Sequence, residues 1–474
     1  MLESRWLALI AICLGVVMIV LDGTVVTVAL PLIRTDLGFT QVSLVWLINA
    51  YILTFGGSVL LGGRLGDLYG ARRVFLFGIV AFTLASLVCG LATSQAAMIG
   101  ARALQGMGGA IVNATSLSLI TNAFIETGER AKAMGIYGFI VSAGATLGIL
   151  LGGLITSFFD WHWIFLINIP YGMLVLVLCL KVVPPARAER AAPARLDIGG
   201  GVTLTGSLML AVYGIINGDD AGWFSSRSFA TFGVALLLLA AFIWIESRVR
   251  DPLMPLELLR RRSLVLTNIT ATMATAAGFS TFFLTLYLQR VLGKTPLEVA
   301  VVFLPTTVIS AILALSFSAR IVKRYGIKAP FAVGYLLVAL GLMLLAAVPV
   351  RGDVLTDLLP GMALFTIGAG IAGSPLFLSA MDGLAQKDAG LASGLIGTSS
   401  VIGGALGLAV MAAAAEVWTR KLSLAGEDPM VALVGGYHVA FASGAVLAVV
   451  AAGFGLMWLP ATIQRSAPAP ASAQ

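Results

Sequence analysis

Charged residues in this 474-residue chain sit in short islands separated by long runs that carry none. Residues 6–33 form an apolar stretch broken by one carboxylate, Asp22. Charge-free runs then follow at 37–63, 74–101, 103–125, 133–159, 163–180, 198–218 and 228–245, and again at 263–289, 299–319, 329–350, 358–381, 389–415 and 429–464. A membrane-spanning helix needs about 20 predominantly apolar residues, so each run holds one span. The pattern predicts an all-α integral membrane protein with fourteen spans.

Composition agrees: 59% of residues are hydrophobic and 11% charged, whereas soluble domains carry roughly 25% charged residues. The net charge of +7 does not point to nucleic acid, because the basic residues sort by loop. Twenty-one of the 29 lysines and arginines fall in loops on the side of the N-terminus, seven fall on the other side, and Arg102 lies within a span. That asymmetry predicts both termini in the cytoplasm of a cell membrane. The first apolar stretch is too long for a cleaved leader and has no convincing cleavage site, so it counts as a span. Cys13, Cys89 and Cys179 all lie inside spans and read as small packing residues.

Two longer cytoplasmic connections stand out. Residues 181–197 contain Pro184-Pro185 and read as a linker; residues 246–262 are amphipathic, end in Arg260-Arg261-Arg262, and suit the headgroups of the lipid bilayer. They bracket two spans, which leaves six on either side. The domains expected are therefore 1–183 (six helices), 184–262 (linkers with two extra helices), 263–465 (six helices) and a Pro/Ala/Ser-rich tail, 466–474. An offset of 256 aligns the turn at 63–72 with that at 319–328, matching Arg64 with Arg320, Tyr69 with Tyr325 and Gly70 with Gly326. Internal repeats of this kind mark secondary transporters.

Several motifs carry a family likeness. Gly63-x-x-x-Asp67-x-x-Gly70-x-Arg72-Arg73 resembles the loop signature between helices two and three of the major facilitator superfamily. Arg102-Ala103-Leu104-Gln105-Gly106-Met107-Gly108-Gly109-Ala110 is similar to its fourth-helix motif, and Gly144-x-x-x-Gly148-Ile149-x-x-Gly152-Gly153 to its fifth-helix antiporter motif. Asp22-x-Thr24-Val25-Val26-Thr27-Val28-Ala29-Leu30-Pro31 and Trp161-His162-Trp163-Ile164-Phe165-x-Ile167-Asn168-x-Pro170 resemble the fourteen-helix drug:proton antiporters of the EmrB/QacA type. The likeness implies the major facilitator fold with a 6 + 2 + 6 arrangement of two pseudo-symmetric halves. It also implies export of lipophilic small molecules in exchange for protons by alternating access. Departures are Leu68 and Ala71 where basic residues are usual, Ile149 for proline, Thr27 for asparagine and His162 for arginine. Gly397-Thr398-Ser399-Ser400-Val401-Ile402-Gly403-Gly404 resembles the thirteenth-helix pattern without its Arg-Gln pair.

Asp22 lies 16 residues past Trp6, about 24 Å along a helix, which places it in the outer half of the bilayer. A buried carboxylate disfavours its charged form, so Asp22 is the proton-carrying candidate; the bland alternative is polar glue between helices. Arg102 begins the fourth span at a similar depth and holds its charge at any accessible pH; its alternative is an arginine snorkelling to the surface. Asp67, Arg72 and Arg73, with Gly63 and Gly70, form a candidate cytoplasmic gate, the arginines reaching Glu126 or Glu129, or else a tight turn with topology-setting charges. Gly144, Gly148, Gly152 and Gly153 space small residues for close packing or for a pivot. Trp46, Asn49, Tyr51, Asn113, Phe279, Phe282, Phe283 and Tyr287 are the cavity candidates, although aromatic stripes more often pack or face lipid.

The tenth run (299–319) contains no acid, so dications are expected to be handled poorly compared with monovalent cationic or neutral lipophilic compounds. The absence of Gly-x-x-x-x-Gly-Lys-[Ser/Thr] argues against a nucleotide-driven pump. Only two histidines, His162 and His438, occur, which argues against an enzyme or a metal site. No cofactor is expected, and one chain suffices as a monomer. The alternatives are a facilitator that exports one natural metabolite or lipid, or an uptake symporter.

Overall fold

The computed structural model describes residues 2–124, 127–183, 197–218, 222, 225–249, 252, 262–313, 321, 324–381 and 389–459. Helices and short turns account for all of the described elements. The first half comprises α1 (Leu2–Leu37), α2 (Gln41–Tyr69), α3 (Ala71–Gly90), α4 (Gln95–Ala123), α5 (Thr127–Phe158) and the tandem pair α6 (Trp163–Leu166) and α7 (Asn168–Val182). Next come α8 (Ile198–Ile216) and α9 (Ser226–Arg248). The second half comprises α10 (Arg262–Gly278), α11 (Thr281–Arg290), α12 (Pro296–Ile312), α13 (Lys328–Leu345), α14 (Leu359–Met381), α15 (Ala389–Leu424) and α16 (Pro429–Trp458). Ten stretches of the described residues are long and apolar enough to cross a membrane.

Short polar turns end the helices. Thr40 and Ser43 form a reciprocal capping box at α2, as Thr295 and Glu298 do at α12, satisfying amide groups that no helical carbonyl reaches. Gly70, between α2 and α3, has φ +89°, and Gly326, its counterpart under the 256-residue offset, has φ +75°. Only glycine takes that backbone without strain, so the chain turns on a glycine at both of the sequence-matched positions. Residues 319, 320, 322 and 323 of the second copy, along with residues 184–196, 253–261 and 460–474, lie outside the described residues.

One apolar core lies within the first half, around Phe75, Phe82, Val112 and Val175. A larger one crosses between the halves, joining Val25, Leu30 and Ile48 to Phe282, Leu286 and Leu408. At that level Gln289 Nε2 on α11 donates to the Val28 carbonyl on α1 (2.7 Å). The extra helix α8 packs on α2 and α15, with Thr205 against Gly57, Gly201 against Leu61, and the Tyr213 ring 6.5 Å from that of Trp46. Its companion α9 exposes Phe229, Leu236 and Leu237, an apolar outer face suited to lipid.

Glycine sets the closest approaches. On α5, Gly144 faces Val20, Gly148 faces Thr24 and the Leu21 carbonyl, and Gly152 faces Val25, all on α1. Gly153 instead faces Pro296, Leu297 and Ala300 on α12, in the other half. A Cβ at Gly153 would stand 2.8 Å from the Pro296 carbonyl oxygen, whereas one at Gly63 would meet nothing within 4 Å. Gly148→Val should therefore force α5 off α1 at a cost of about 1–3 kcal/mol, and Gly63→Ala should cost nothing in packing. Thermal unfolding of the purified variants checks this; equal midpoints for the two would refute the packing assignment.

Candidate functional site

Asp22 projects from the middle of α1 and is 2% exposed. An unpaired carboxylate in that setting is costly, so its oxygens must be satisfied by protein. Arg102 Nη1, from α4, donates to Oδ2 at 2.5 Å. Gln105 Nε2, one turn further along α4, donates to Oδ1 at 2.7 Å, and Asn168 Nδ2, the first residue of α7, donates to the same oxygen at 3.0 Å. Ser86 Oγ on α3 accepts from Gln105 (2.7 Å) and Asn168 (3.4 Å), and donates to the Phe82 carbonyl (2.9 Å). Three helices and the start of a fourth thus meet around one carboxylate, with α3 reaching it through Ser86.

Arg102 is equally enclosed, at 1% exposure. Its Nε donates to the Leu47 carbonyl of α2 (3.1 Å), and Nη1 also donates to Gln105 Oε1 (2.6 Å). The Tyr51 ring lies over the guanidinium, 4.3 Å from its carbon to the ring centroid, and Phe165 lies at 5.8 Å. Such stacking favours arginine over lysine at this position. Breaking the chain between α6 and α7 presents Asn168 to the cluster, and Pro170, which lacks an N–H, starts α7 without wasting a donor.

A cavity of about 320 Å³ adjoins the pair and lies between the halves. The first half contributes Gly23, Thr24 and Thr27 from α1, Ile48, Tyr51 and Ile52 from α2, and Arg102. The second half contributes Phe279, Thr281, Phe282 and Thr285 around the break between α10 and α11, and Phe303 from α12. Its size lies at the lower end of ligand-binding pockets, which run from about 300 Å³. Interrupted helices beside a cavity are a recurring feature of transporter sites.

The expected site residues divide clearly. Asp22 and Arg102 meet, and Tyr51, Phe279 and Phe282 line the cavity. Trp46 packs toward Tyr213; Asn113 accepts from the Tyr137 hydroxyl (3.2 Å); Phe283 lies 6.2 Å from Tyr437; and Tyr287 donates to the Pro349 carbonyl (2.6 Å). Asn49 is wholly buried, outside the lining, with neither amide atom hydrogen-bonded. At the candidate gate, Arg72 Nη2 donates to the Leu180 carbonyl at the end of α7 (2.8 Å), and Arg73 is exposed. Among the described residues neither arginine pairs with Glu129; Glu126 and the Asp67 side chain lie outside them. Gly63 and Gly70 flank that turn, while Gly144, Gly148 and Gly152 back the Asp22 segment of α1. Ser86, and the roles of Gln105 and Asn168, were not singled out from sequence; the available signal was polar side chains inside charge-free runs.

With this geometry in view, comparison with known proteins is decisive. The sequence pattern of the Major Facilitator Superfamily matches residues 12–408. The chain belongs to the major facilitator superfamily. It is a multi-pass membrane protein of a transporter family, not of an enzyme family. It is 36% identical over 406 residues to the cephamycin export protein CmcT of Amycolatopsis lactamdurans, covering 85% of this chain and 84% of that protein. It is 36% identical over 452 residues to the puromycin resistance protein pur8 of Streptomyces alboniger, covering 94% and 89% respectively. It is also 36% identical over 417 residues to the multidrug resistance protein Stp of Mycobacterium tuberculosis, covering 88% and 77%. Among solved structures, a bacterial homologue of the lysosomal transporter Spinster superposes with a TM-score of 0.66 at 17% identity, covering 96% of each chain. A D-xylose–proton symporter superposes at 0.67 and 15% identity, covering 96% of this chain and 98% of that one. These structural likenesses establish the shared fold.

Gln105→Leu should cost about 1–3 kcal/mol, the price of leaving a buried polar partner unsatisfied. If Gln105 acts through the carboxylate, its loss should be non-additive with Asp22→Asn by at least about 0.5 kcal/mol. Thermal unfolding of the two single variants and the double variant measures the coupling, and strict additivity would separate Gln105 from Asp22.

Proposed function

We propose that the chain is a proton-coupled exporter of lipophilic small molecules, of the fourteen-helix drug:proton antiporter type, working by alternating access. The observation that carries this reading is the buried Asp22–Arg102 pair at the wall of the inter-half cavity. A proton on Asp22 removes the negative partner of Arg102 and turns a neutral pair into a net positive one. The uncompensated guanidinium must then find other partners or move, because a lone buried charge costs about 3–5 kcal/mol. That conversion can bias which face of the cavity is open, since both side chains tie α1, α2 and α4 together.

The proposed architecture places fourteen spans as 6 + 2 + 6, in halves 1–183 and 263–465 joined through 184–262 and followed by the tail 466–474, with both termini cytoplasmic in the cell membrane. Gly63, Asp67, Gly70, Arg72 and Arg73 act as the cytoplasmic gate, and the α5 glycines as the packing face on which α1 shifts. The partners are protons, the lipid bilayer and a lipophilic compound bearing at most one charge, and a monomer suffices because one chain supplies every residue of the cavity. Among the relatives, CmcT and pur8 are named for a single compound and Stp for multidrug resistance. A facilitator dedicated to one natural product is therefore the second reading.

Expression in an efflux-deficient host, with a broad compound panel, tests both readings. The wild type should protect, a protonophore should abolish protection, and Asp22→Asn should lose at least about tenfold in coupled flux, since one unit of lost proton linkage corresponds to about 1.4 kcal/mol. Full resistance in Asp22→Asn would remove this carboxylate from the coupling mechanism. Protection against one chemical scaffold alone would favour the dedicated exporter.

A further inference from the structure

The embedded acid and the cavity face in different directions. Both Asp22 oxygens are taken by donors from α4 and α7, and the residue that reaches the lining from this pair is Arg102. Of the guanidinium nitrogens, Nε and Nη1 are bonded to Leu47, Asp22 and Gln105. The remaining nitrogen, Nη2, makes no hydrogen bond among the described residues, and Arg102 is one of the residues that line the cavity. No acid lines the cavity among the described residues. The charge-free runs that supply α10, α11 and most of α2 and α12 contain none in the sequence.

Of the other polar groups of the lining, the Tyr51 hydroxyl is buried and makes no hydrogen bond among the described residues, and the threonines have their hydrogens already committed, Thr24 to the Val20 and Leu21 carbonyls. Thr27 donates to the Thr24 carbonyl (2.6 Å), Thr281 to the Gly278 carbonyl (3.1 Å) and Thr285 to the Thr281 carbonyl (3.3 Å). A hydroxyl that has given its hydrogen retains lone pairs and can only accept. Phe279, Phe282 and Phe303 supply flat apolar walls. The site therefore offers hydroxyl acceptors, aromatic faces and one positive edge whose counter-ion is buried behind it.

Building on the exporter reading above, we infer that this cavity selects uncharged aromatic compounds bearing hydroxyl or amide donors and rejects organic cations. A cation would face the guanidinium at short range in a low-dielectric wall, where like charges repel strongly. An anion at Nη2 would add a second negative charge to a guanidinium that Asp22 already neutralises, with no other cation among the lining residues to balance it. A neutral donor-bearing ring does neither. The substrate then never touches the proton site, so proton and cargo are coupled through movement of Arg102 and Tyr51 and not by direct competition for one carboxylate. Exchanging an uncharged cargo for protons also moves net charge in every cycle, so flux responds to membrane potential as well as to pH difference.

The test uses the full-length chain in proteoliposomes and equilibrium binding of radiolabelled chloramphenicol, a neutral aromatic amide diol. Displacement is measured with unlabelled chloramphenicol and with tetraphenylphosphonium, a permanent monocation. Chloramphenicol should bind at least tenfold more tightly than the cation, and Thr281→Asp, which places an acid in the lining, should narrow or reverse that ratio. Equal or tighter binding of the cation to the wild type, failure of chloramphenicol to bind, or an unchanged ratio in Thr281→Asp would each overturn the inference. Flux in the same vesicles separates the two readings. Neutral-selective binding with transport indifferent to both pH gradient and potassium diffusion potential would sink the proton-coupled exporter while leaving the cavity chemistry standing.

Discussion

The contact on which the rest of the molecule depends is the ion pair between Asp22 and Arg102, held in a wall of apolar helices. Two charges cannot be withdrawn from water this far unless each finds several polar partners. The surrounding sequence supplies them from separate helices: Gln105 from α4, Ser86 from α3, Asn168 from α7 and the Leu47 carbonyl from α2. Satisfying one carboxylate thereby fixes the mutual placement of most of the first half. An apolar substitute could often serve folding as well as a buried pair does. In the proposed mechanism, its position at the edge of the inter-half cavity is what makes the pair a switch.

Much of this was legible in the sequence. Charge-free runs locate the helices because the bilayer forbids unpaired charge over a fixed length, and that rule is insensitive to packing detail. Asp22 and Arg102 stood out for the same reason, and their similar depth followed from helical rise. Tyr51, Phe279 and Phe282 were placed in the cavity by chemistry, yet Phe283 and Tyr287, from the same helix, point into the second half instead. Aromatic identity carries no azimuth, and the helix break at Phe279–Ser280 rotates the lining in a way no periodicity reveals. Ser86 was silent because a serine in a span more often bonds its own helix, as it also does here. At the cytoplasmic turn, Arg72 meets a carbonyl of its own half, a partner available everywhere along a chain and so invisible to pattern.

The two seams between the halves are built differently. On one, α5 meets α12 directly through Gly153, backbone against backbone. On the other, α8 lies over α2 and α15 and makes its tightest contacts with α2, at Gly57 and Leu61. Its companion α9 turns Phe229, Leu236 and Leu237 outward, so the two helices add an apolar layer over that seam.

The glycine row of α5 has a further reach. Gly148 rests against Thr24 and the Leu21 carbonyl, on either side of Asp22, so the thickness of α5 at that point sets how far the carboxylate stands from α4. The helix is placed as a shim: among the described residues it neither bonds the acid nor lines the cavity, yet an added methyl group at Gly148 would press on the α1 segment that carries Asp22. Changes in proton handling can then arise from residues that hold no proton and bind no cargo. Sequence drift along α5 becomes a means of tuning transport without rewriting its chemistry.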